Sequence, residues 1–170
     1  IEVLYGRFIM HIFGLREDPA SMALVKTLPN ASYLAYWLTF LPLWLSWKLT
    51  GARILYPTLP APADAGISGV IVSRTPVFDG LIADHLADVG QVVILGAGMD
   101  TRAYGLLRDE GVEVFELDQP ATQQLKRRAL DTAGIACDHV TFVEVDFSRS
   151  DWPEALTATG YKPKTTTLFI

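Results

Sequence analysis

A short apolar run that leads into a glycine-rich turn constrains the fold of this chain more than any other feature. Gln91 to Leu95 reads Gln-Val-Val-Ile-Leu, and Gly96 and Gly98 follow it. An apolar run of this length, ended by glycine, is typical of a buried strand. Glycine lets the backbone approach a ligand closely and adopt torsions that a side chain would forbid. The pattern therefore predicts a strand whose carboxyl end opens onto a ligand-binding turn.

Strands and helices alternate along the second part of the chain, from about residue 63 to residue 170. We expect strands at 91–95, 112–117, 140–145 and 166–170, and helices at 77–89, 100–109, 119–132 and 152–159. Asp100 is placed to cap the second of these helices. Alternation at this spacing predicts an α/β domain, with a Rossmann-like parallel sheet and flanking helices. Ligands of such sheets bind at the carboxyl ends of the strands.

The first part of the chain, residues 1–62, is predicted to be an apolar helical region. Helices are expected at 2–15 and 20–28, and prolines at 57, 60 and 62 indicate a linker. No charged residue occurs from 27 to 47. As a helix, residues 31–47 would span about 25 Å, less than the roughly 30 Å of a bilayer core. Two interpretations stay open: a lid or dimer surface packed on the second part of the chain, or association with a membrane.

Composition excludes several classes of protein. Lys and Arg number 14 against 19 Asp and Glu, a net charge of −5, so a nucleic-acid-binding surface is not expected. Half of the residues are hydrophobic, which excludes intrinsic disorder. A single cysteine, Cys137, cannot form an internal disulfide and fits a cytoplasmic protein, with or without membrane association. Because the chain begins at Ile1 and ends in the predicted fourth strand, we expect it to be the N-terminal half of a longer protein.

The turn after the first strand departs from the fingerprint of dinucleotide-binding proteins. That fingerprint requires a small residue three positions after Gly98, where this chain has Thr101. Asp100, within the turn, is an unfavourable neighbour for a pyrophosphate. A nicotinamide-dependent oxidoreductase is therefore a weaker alternative, and a phosphate-free nucleoside such as S-adenosyl-L-methionine suits the turn better.

Acidic residues follow the next two strands. Asp118 ends the second strand, where a carboxylate can accept hydrogen bonds from both ribose hydroxyls of an adenosine. Asp146 follows the third strand, where it can accept a hydrogen bond from an adenine amino group. Phe147, beside it, can pack on the adenine ring. Acids at successive strand ends behind a glycine turn favour a nucleoside site over isolated helix caps.

These motifs together resemble the leucine carboxyl methyltransferase family, especially its bacterial branch of S-adenosyl-L-methionine-dependent methyltransferases. The resemblance extends from about residue 73 to residue 170. It lies in Ser73-Arg74-Thr75 with Phe78-Asp79, in Gln91 to Tyr104, in Phe115 to Pro120 and in Val145-Asp146-Phe147. It implies the class I methyltransferase fold, S-adenosyl-L-methionine as the cofactor, and methyl transfer to a carboxylate or hydroxyl of a small molecule or protein.

The resemblance also implies roles for individual residues. Arg74 matches the arginine that holds the methionine carboxylate of the cofactor, and Gly96, Ala97 and Gly98 match the loop beneath it. Asp118 matches the ribose-binding acid, and Asp146 with Phe147 matches the pair at the adenine.

No catalytic base and no metal site are predicted. A carboxylate acceptor is ionised at neutral pH and requires no strong base. The three histidines, at 11, 85 and 139, are isolated in the sequence, and Lys126, Arg127 and Arg128 are expected on a solvated helix face. The alternative to an enzyme is a non-catalytic, membrane-associated nucleoside-binding module.

Overall fold

The computed structural model describes residues 2–28, 33–52, 67–149 and 151–170. The chain divides into two compact units, Ile1–Asp79 and Gly80–Ile170. The prolines of the predicted linker lie outside the described residues, so the division at residues 62 and 63 stays a prediction.

Among the described residues, three helices and part of a fourth form the N-terminal unit. They are α1 (Glu2–Ile12), α2 (Pro19–Thr27), α3 (Tyr33–Thr50) and α4 (Ile67–His85), whose last residues belong to the second unit. Asp18 begins α2, because its Oδ1 accepts a hydrogen bond from the Ser21 amide at 3.0 Å. Arg16 pairs with Asp18 and, through Nε at 2.5 Å, with Asp79 of α4. Ion pairs therefore join α4 to the corner between α1 and α2.

Residues 33–47 of the uncharged run lie in α3, which packs aromatic side chains on the end of α1 and the residue that follows it. The Trp44 indole donates to the Ile12 carbonyl at 3.1 Å, and the ring centroids of Phe13 and Trp47 lie 6.0 Å apart. Leu34 and Leu49 remain exposed. Among the helices of the described residues, none combines the length and the hydropathy that crossing a bilayer requires.

A four-stranded parallel sheet forms the second unit. Its strands are β1 (Gln91–Leu95), β2 (Glu113–Asp118), β3 (Val140–Glu144) and β4 (Thr167–Phe169), in the order β3-β2-β1-β4. Each neighbouring pair is parallel. This sheet confirms the α/β fold class and the four strands expected from the sequence.

Two α-helices flank the sheet, α5 (Pro120–Ala133) and α6 (Trp152–Thr157). Pro120 suits the first turn of α5, where its missing amide proton is not required. Residues from β1, β2 and β3, with the residue that follows β3, form a core with Leu156 of α6: Val93, Phe115, Leu117, Val143 and Val145. α6 therefore covers one face of the sheet.

The helices around β1 differ from the sequence prediction. The helix expected at 77–89 begins ten residues earlier, as α4, and a 3-10 helix at Leu86–Asp88 follows it. The helix expected at 100–109 is wrong: only a 3-10 helix, Arg102–Tyr104, forms there. Gly105 ends it with φ −140° and ψ −91°, torsions far from those of a helix.

Candidate functional site

The glycine turn lies where the strand order of the sheet reverses. From β1 the chain proceeds to β2 and β3 on one side, and β4 then pairs on the other side of β1. Gly96 and Gly98 have φ of +61° and +46°, in the left-handed region that glycine adopts without strain. The Ala97 amide donates to the Leu117 carbonyl at 3.0 Å. The turn is therefore held against the end of β2, at the crevice where ligands of such sheets bind.

Asp118 connects the end of β2 to the glycine turn. Its Oδ2 accepts the Gly98 amide at 2.5 Å, and its Oδ1 accepts the Gln119 amide at 2.6 Å. A carboxylate can accept about four hydrogen bonds, so each oxygen retains a lone pair for a further donor. The structure brings together Gly98 and Asp118, as the sequence predicted.

Asp146 and Phe147 lie at the end of the neighbouring strand. The Val145 amide donates to the Asp118 carbonyl at 2.9 Å, which continues the pairing of β3 with β2. Asp146 is exposed, and its Oδ1 accepts the Ser148 amide at 3.0 Å and the Ser148 hydroxyl at 2.7 Å. These hydrogen bonds hold the pKa of the Asp146 carboxyl below its usual value. Phe147 is 40% exposed, so much of its ring faces solvent.

Arg74 belongs to the N-terminal unit. It lies on α4 with an exposed side chain. Its guanidinium carbon is 5.9 Å from the centroid of the Phe78 ring, one helical turn along, within reach of a cation–π contact. The role that the resemblance implies for Arg74 stays a prediction.

Asp100, the acidic residue in the glycine turn, forms an ion pair that was not predicted from the sequence. The Arg102 guanidinium lies 2.5 Å from Asp100 Oδ2, and the Arg102 amide donates to Asp100 Oδ1 at 2.8 Å. The Asp100 carboxylate therefore accepts the first amide of the 3-10 helix, whose N-cap is Thr101, and the Arg102 guanidinium neutralises its charge. Asp100 alone thus excludes a phosphate less strongly than the sequence indicated.

A buried ion pair, between Lys126 and Glu116, was also not predicted from the sequence. Lys126, expected on a solvated helix face, is 1% exposed and lies 2.6 Å from Glu116 of β2, whereas Arg127 and Arg128 are exposed as predicted. The buried residues of α5 are Gln123, Lys126, Ala129 and Leu130, which share one face at helical spacing. The helical spacing of these four residues could have indicated that Lys126 faces the sheet. A lysine on the buried face of a helix is uncommon, so the charge favoured the opposite prediction.

Other candidate groups have structural partners. The His139 ring bonds the Ala103 carbonyl at 2.8 Å, and the His11 ring accepts the Asp18 amide at 3.0 Å. Burial and the nearby Glu116 carboxylate raise the pKa of Tyr104 well above the usual value of a tyrosine, so a Tyr104 phenolate is not available as a base. Within the part of the chain that the structure describes, no group of three or more His, Cys, Asp or Glu side chains could hold a metal ion.

Comparison with known proteins finds a matching family and several relatives. The sequence model of the family described as leucine carboxyl methyltransferase matches residues 46–170. A protein of Mycolicibacterium smegmatis is 36% identical over 157 residues, which cover 91% of this chain and 48% of the relative. One from Mycobacterium ulcerans is 41% identical over 116 residues, 66% of this chain and 36% of the relative.

A third relative, from Mycobacterium marinum, is 44% identical over 110 residues, 63% of this chain and 34% of the relative. All three carry the name "Putative S-adenosyl-L-methionine-dependent methyltransferase". The matched segments span between a third and a half of the length of these relatives.

Proposed function

Because this chain belongs to the leucine carboxyl methyltransferase family, we propose that the protein is an S-adenosyl-L-methionine-dependent methyltransferase whose cofactor binds at the carboxyl edge of the sheet. The observation that carries the proposal is the hydrogen bond of Asp118 to the Gly98 amide, at the point where the strand order reverses. The names of the relatives supply the identity of the cofactor.

The chemistry of the residues at this edge fits the cofactor. Asp118 and Asp146 are acceptors at adjacent strand ends, and hydroxyl and amino groups of an adenosine are donors. A cofactor without phosphate avoids repulsion from these two carboxylates. The open turn adds room, because a side chain placed at Gly96 would meet no atom within 4 Å.

Each residue receives a role in this proposal. Asp118 accepts hydrogen bonds from the ribose hydroxyls, and Asp146 accepts one from the adenine amino group. Phe147 packs its exposed ring on the adenine. Gly96, Ala97 and Gly98 form the floor beneath the amino-acid part of the cofactor, and Arg74 binds its carboxylate through a bidentate contact.

Methyl transfer requires alignment more than acid–base chemistry. The cofactor supplies a methyl group that its sulfonium centre already activates. The protein therefore has to hold an acceptor atom in line with that group at close distance. We further propose an oxygen acceptor, either a carboxylate or a hydroxyl. A carboxylate is ionised at neutral pH and requires no base.

The test is calorimetric titration of the full-length protein with S-adenosylhomocysteine, the demethylated product. We expect micromolar binding, lost in Asp118→Ala and weakened in Asp146→Ala. Asp118→Asn separates the two tasks of this residue, because it keeps an acceptor oxygen but removes the negative charge. A matched control is Asp109→Ala, since Asp109 is exposed and precedes the amino end of β2, at the opposite edge of the sheet.

Two results would contradict the proposal. One is equal affinity in the wild type and the Asp118→Ala variant. The other is tight binding of NADH at the same edge, which would favour the oxidoreductase. No observation on the described residues, and no relative named above, favours the alternative of a non-catalytic nucleoside-binding module.

A further inference from the structure

A cluster of polar side chains is buried beside the candidate site, and nothing in the proposed function uses it. We name it the Glu116 cluster: Glu116 of β2, Lys126 of α5 and Tyr104 of the 3-10 helix. Lys126 Nζ lies 2.6 Å from Glu116 Oε2, and the Tyr104 hydroxyl donates to the same oxygen at 3.2 Å. The charged side chains are each 1% exposed, and Tyr104 is 4% exposed. Lys126 Nζ is also 5.3 Å from the centroid of the Tyr104 ring.

Stability alone explains this cluster poorly. Removing two charges from water costs several kcal/mol per ion in order of magnitude, and apolar replacements of similar volume are often as stable or more stable. The second oxygen of Glu116, Oε1, has no hydrogen-bond partner among the described residues, which adds to the cost. The gain from such a cluster is a fixed geometry, because a buried carboxylate accepts its partners in few arrangements.

The three members come from three segments that meet under the carboxyl edge of the sheet. Tyr104 follows the glycine turn by six residues, and Glu116 precedes Asp118 by two, so both acids point to the same face of β2. Lys126 belongs to the helix that begins directly after β2. Gln123 of the same helix donates to the carbonyls of Glu116 and Val143, at 2.8 Å each. The cluster therefore connects the segment after the glycine turn to the strand that carries Asp118.

We propose that Glu116 and Lys126 are positioning residues, which with Tyr104 hold the glycine turn against β2 so that the Gly98 amide meets Asp118 Oδ2. The consequence for cofactor affinity rests on the proposed function, whereas the geometry of the Gly98 amide does not. Charge-assisted hydrogen bonds are sensitive to small displacements. A shift of the turn would therefore weaken the Gly98–Asp118 bond before the fold itself is lost.

The amide resonance of Gly98 measures this geometry in the absence of ligand. An amide that donates to a carboxylate at 2.5 Å is expected far downfield in the proton dimension. In the full-length protein, Lys126→Met should move this resonance upfield and weaken S-adenosylhomocysteine binding about tenfold, or roughly 1.4 kcal/mol. Lys126→Arg retains the charge and should restore much of both. Tyr104→Phe removes only the hydroxyl and should cause a smaller shift in the same direction.

The control for lost stability is Leu130→Ala, a fully buried position one turn further along α5. It should lower the free energy of unfolding while the Gly98 resonance stays in place. If Lys126→Met leaves the Gly98 resonance and the affinity unchanged, or if Leu130→Ala moves both as far as Lys126→Met does, the positioning role is wrong. If Lys126→Met does not fold, Tyr104→Phe decides by the same resonance, and an unshifted Gly98 amide in that variant would overturn the role. A wild type that binds no S-adenosylhomocysteine, with a Gly98 resonance that still responds to Lys126→Met, would refute the proposed function and retain this inference.

Discussion

Asp118 has two structural tasks at the end of β2. It accepts the Gly98 and Gln119 amides, and so fixes the turn at β1 and the start of α5 simultaneously. The sequence predicted its position at a strand end and its nearness to the turn, because parallel strands end at one edge. It gave no sign that the carboxylate already binds the turn, since that contact depends on the register of β1 against β2.

The pKa of the Asp146 carboxyl is expected to depend on its neighbour Ser148. Because Ser148 donates two hydrogen bonds to it, its pKa in the folded protein is lowered. A lowered carboxyl pKa stabilises the fold above the pKa of the unfolded chain, and this contribution disappears as the pH falls through the folded value. Ser148→Ala removes the hydroxyl donor and should raise the pKa of Asp146 towards the ordinary value of about 3.9.

Carbon-13 titration of the Asp146 carboxyl measures this shift directly. Ser148→Thr keeps a hydroxyl and serves as the matched control, with a pKa close to that of the wild type. A pKa of Asp146 that is identical in Ser148→Ala and the wild type would mean that the hydroxyl hydrogen bond does not stabilise the charged form.

At the scale of elements, the sequence predicted strands better than the segment after β1. Strand positions follow from apolar runs that glycine or polar residues interrupt, and each observed strand lies within two residues of its prediction. The failure at residues 100–109 has a local cause, because Asp100 binds Arg102 and Gly105 leaves helical torsions. The prediction of a solvated Lys126 was wrong for a different reason. Its partner Glu116 lies on another element and becomes its neighbour only when α5 packs on the sheet.

The end of α5 provides a prediction at this scale. Gly134 adopts φ +67° and ψ +28°, and its amide donates to the Asp131 carbonyl at 3.0 Å. A Cβ there would meet no atom within 4 Å, so the cost of a side chain is conformational rather than steric. Gly134→Ala should therefore lower the free energy of unfolding by about 1 kcal/mol. Urea denaturation measures the difference.

Asparagine tolerates left-handed torsions better than alanine does, so Gly134→Asn should lose less stability than Gly134→Ala. Equal stability of Gly134→Ala and the wild type would indicate that α5 ends differently in solution. This site is separate from the glycine turn, and neither variant should change the affinity for S-adenosylhomocysteine.

At the scale of the whole molecule, the family relationship and the position of the candidate site are both consistent with the proposed function. The matched segments cover between a third and a half of the relatives, and the carboxyl edge of β1, β2 and β3 carries every residue of the second unit that we assign to the cofactor.

A ligand that binds the folded state and not the unfolded chain raises the free energy of unfolding, by about 2.7 kcal/mol at a hundred times its Kd. Thermal denaturation of the full-length protein with S-adenosylhomocysteine should therefore show a higher Tm than the protein alone. NADH at the same concentration should leave the Tm unchanged, and Asp118→Ala should abolish the increase although its own unfolding remains cooperative. An increase that persists unchanged in Asp118→Ala would show that Asp118 does not hold the ribose, and would contradict the site proposed at the end of β2.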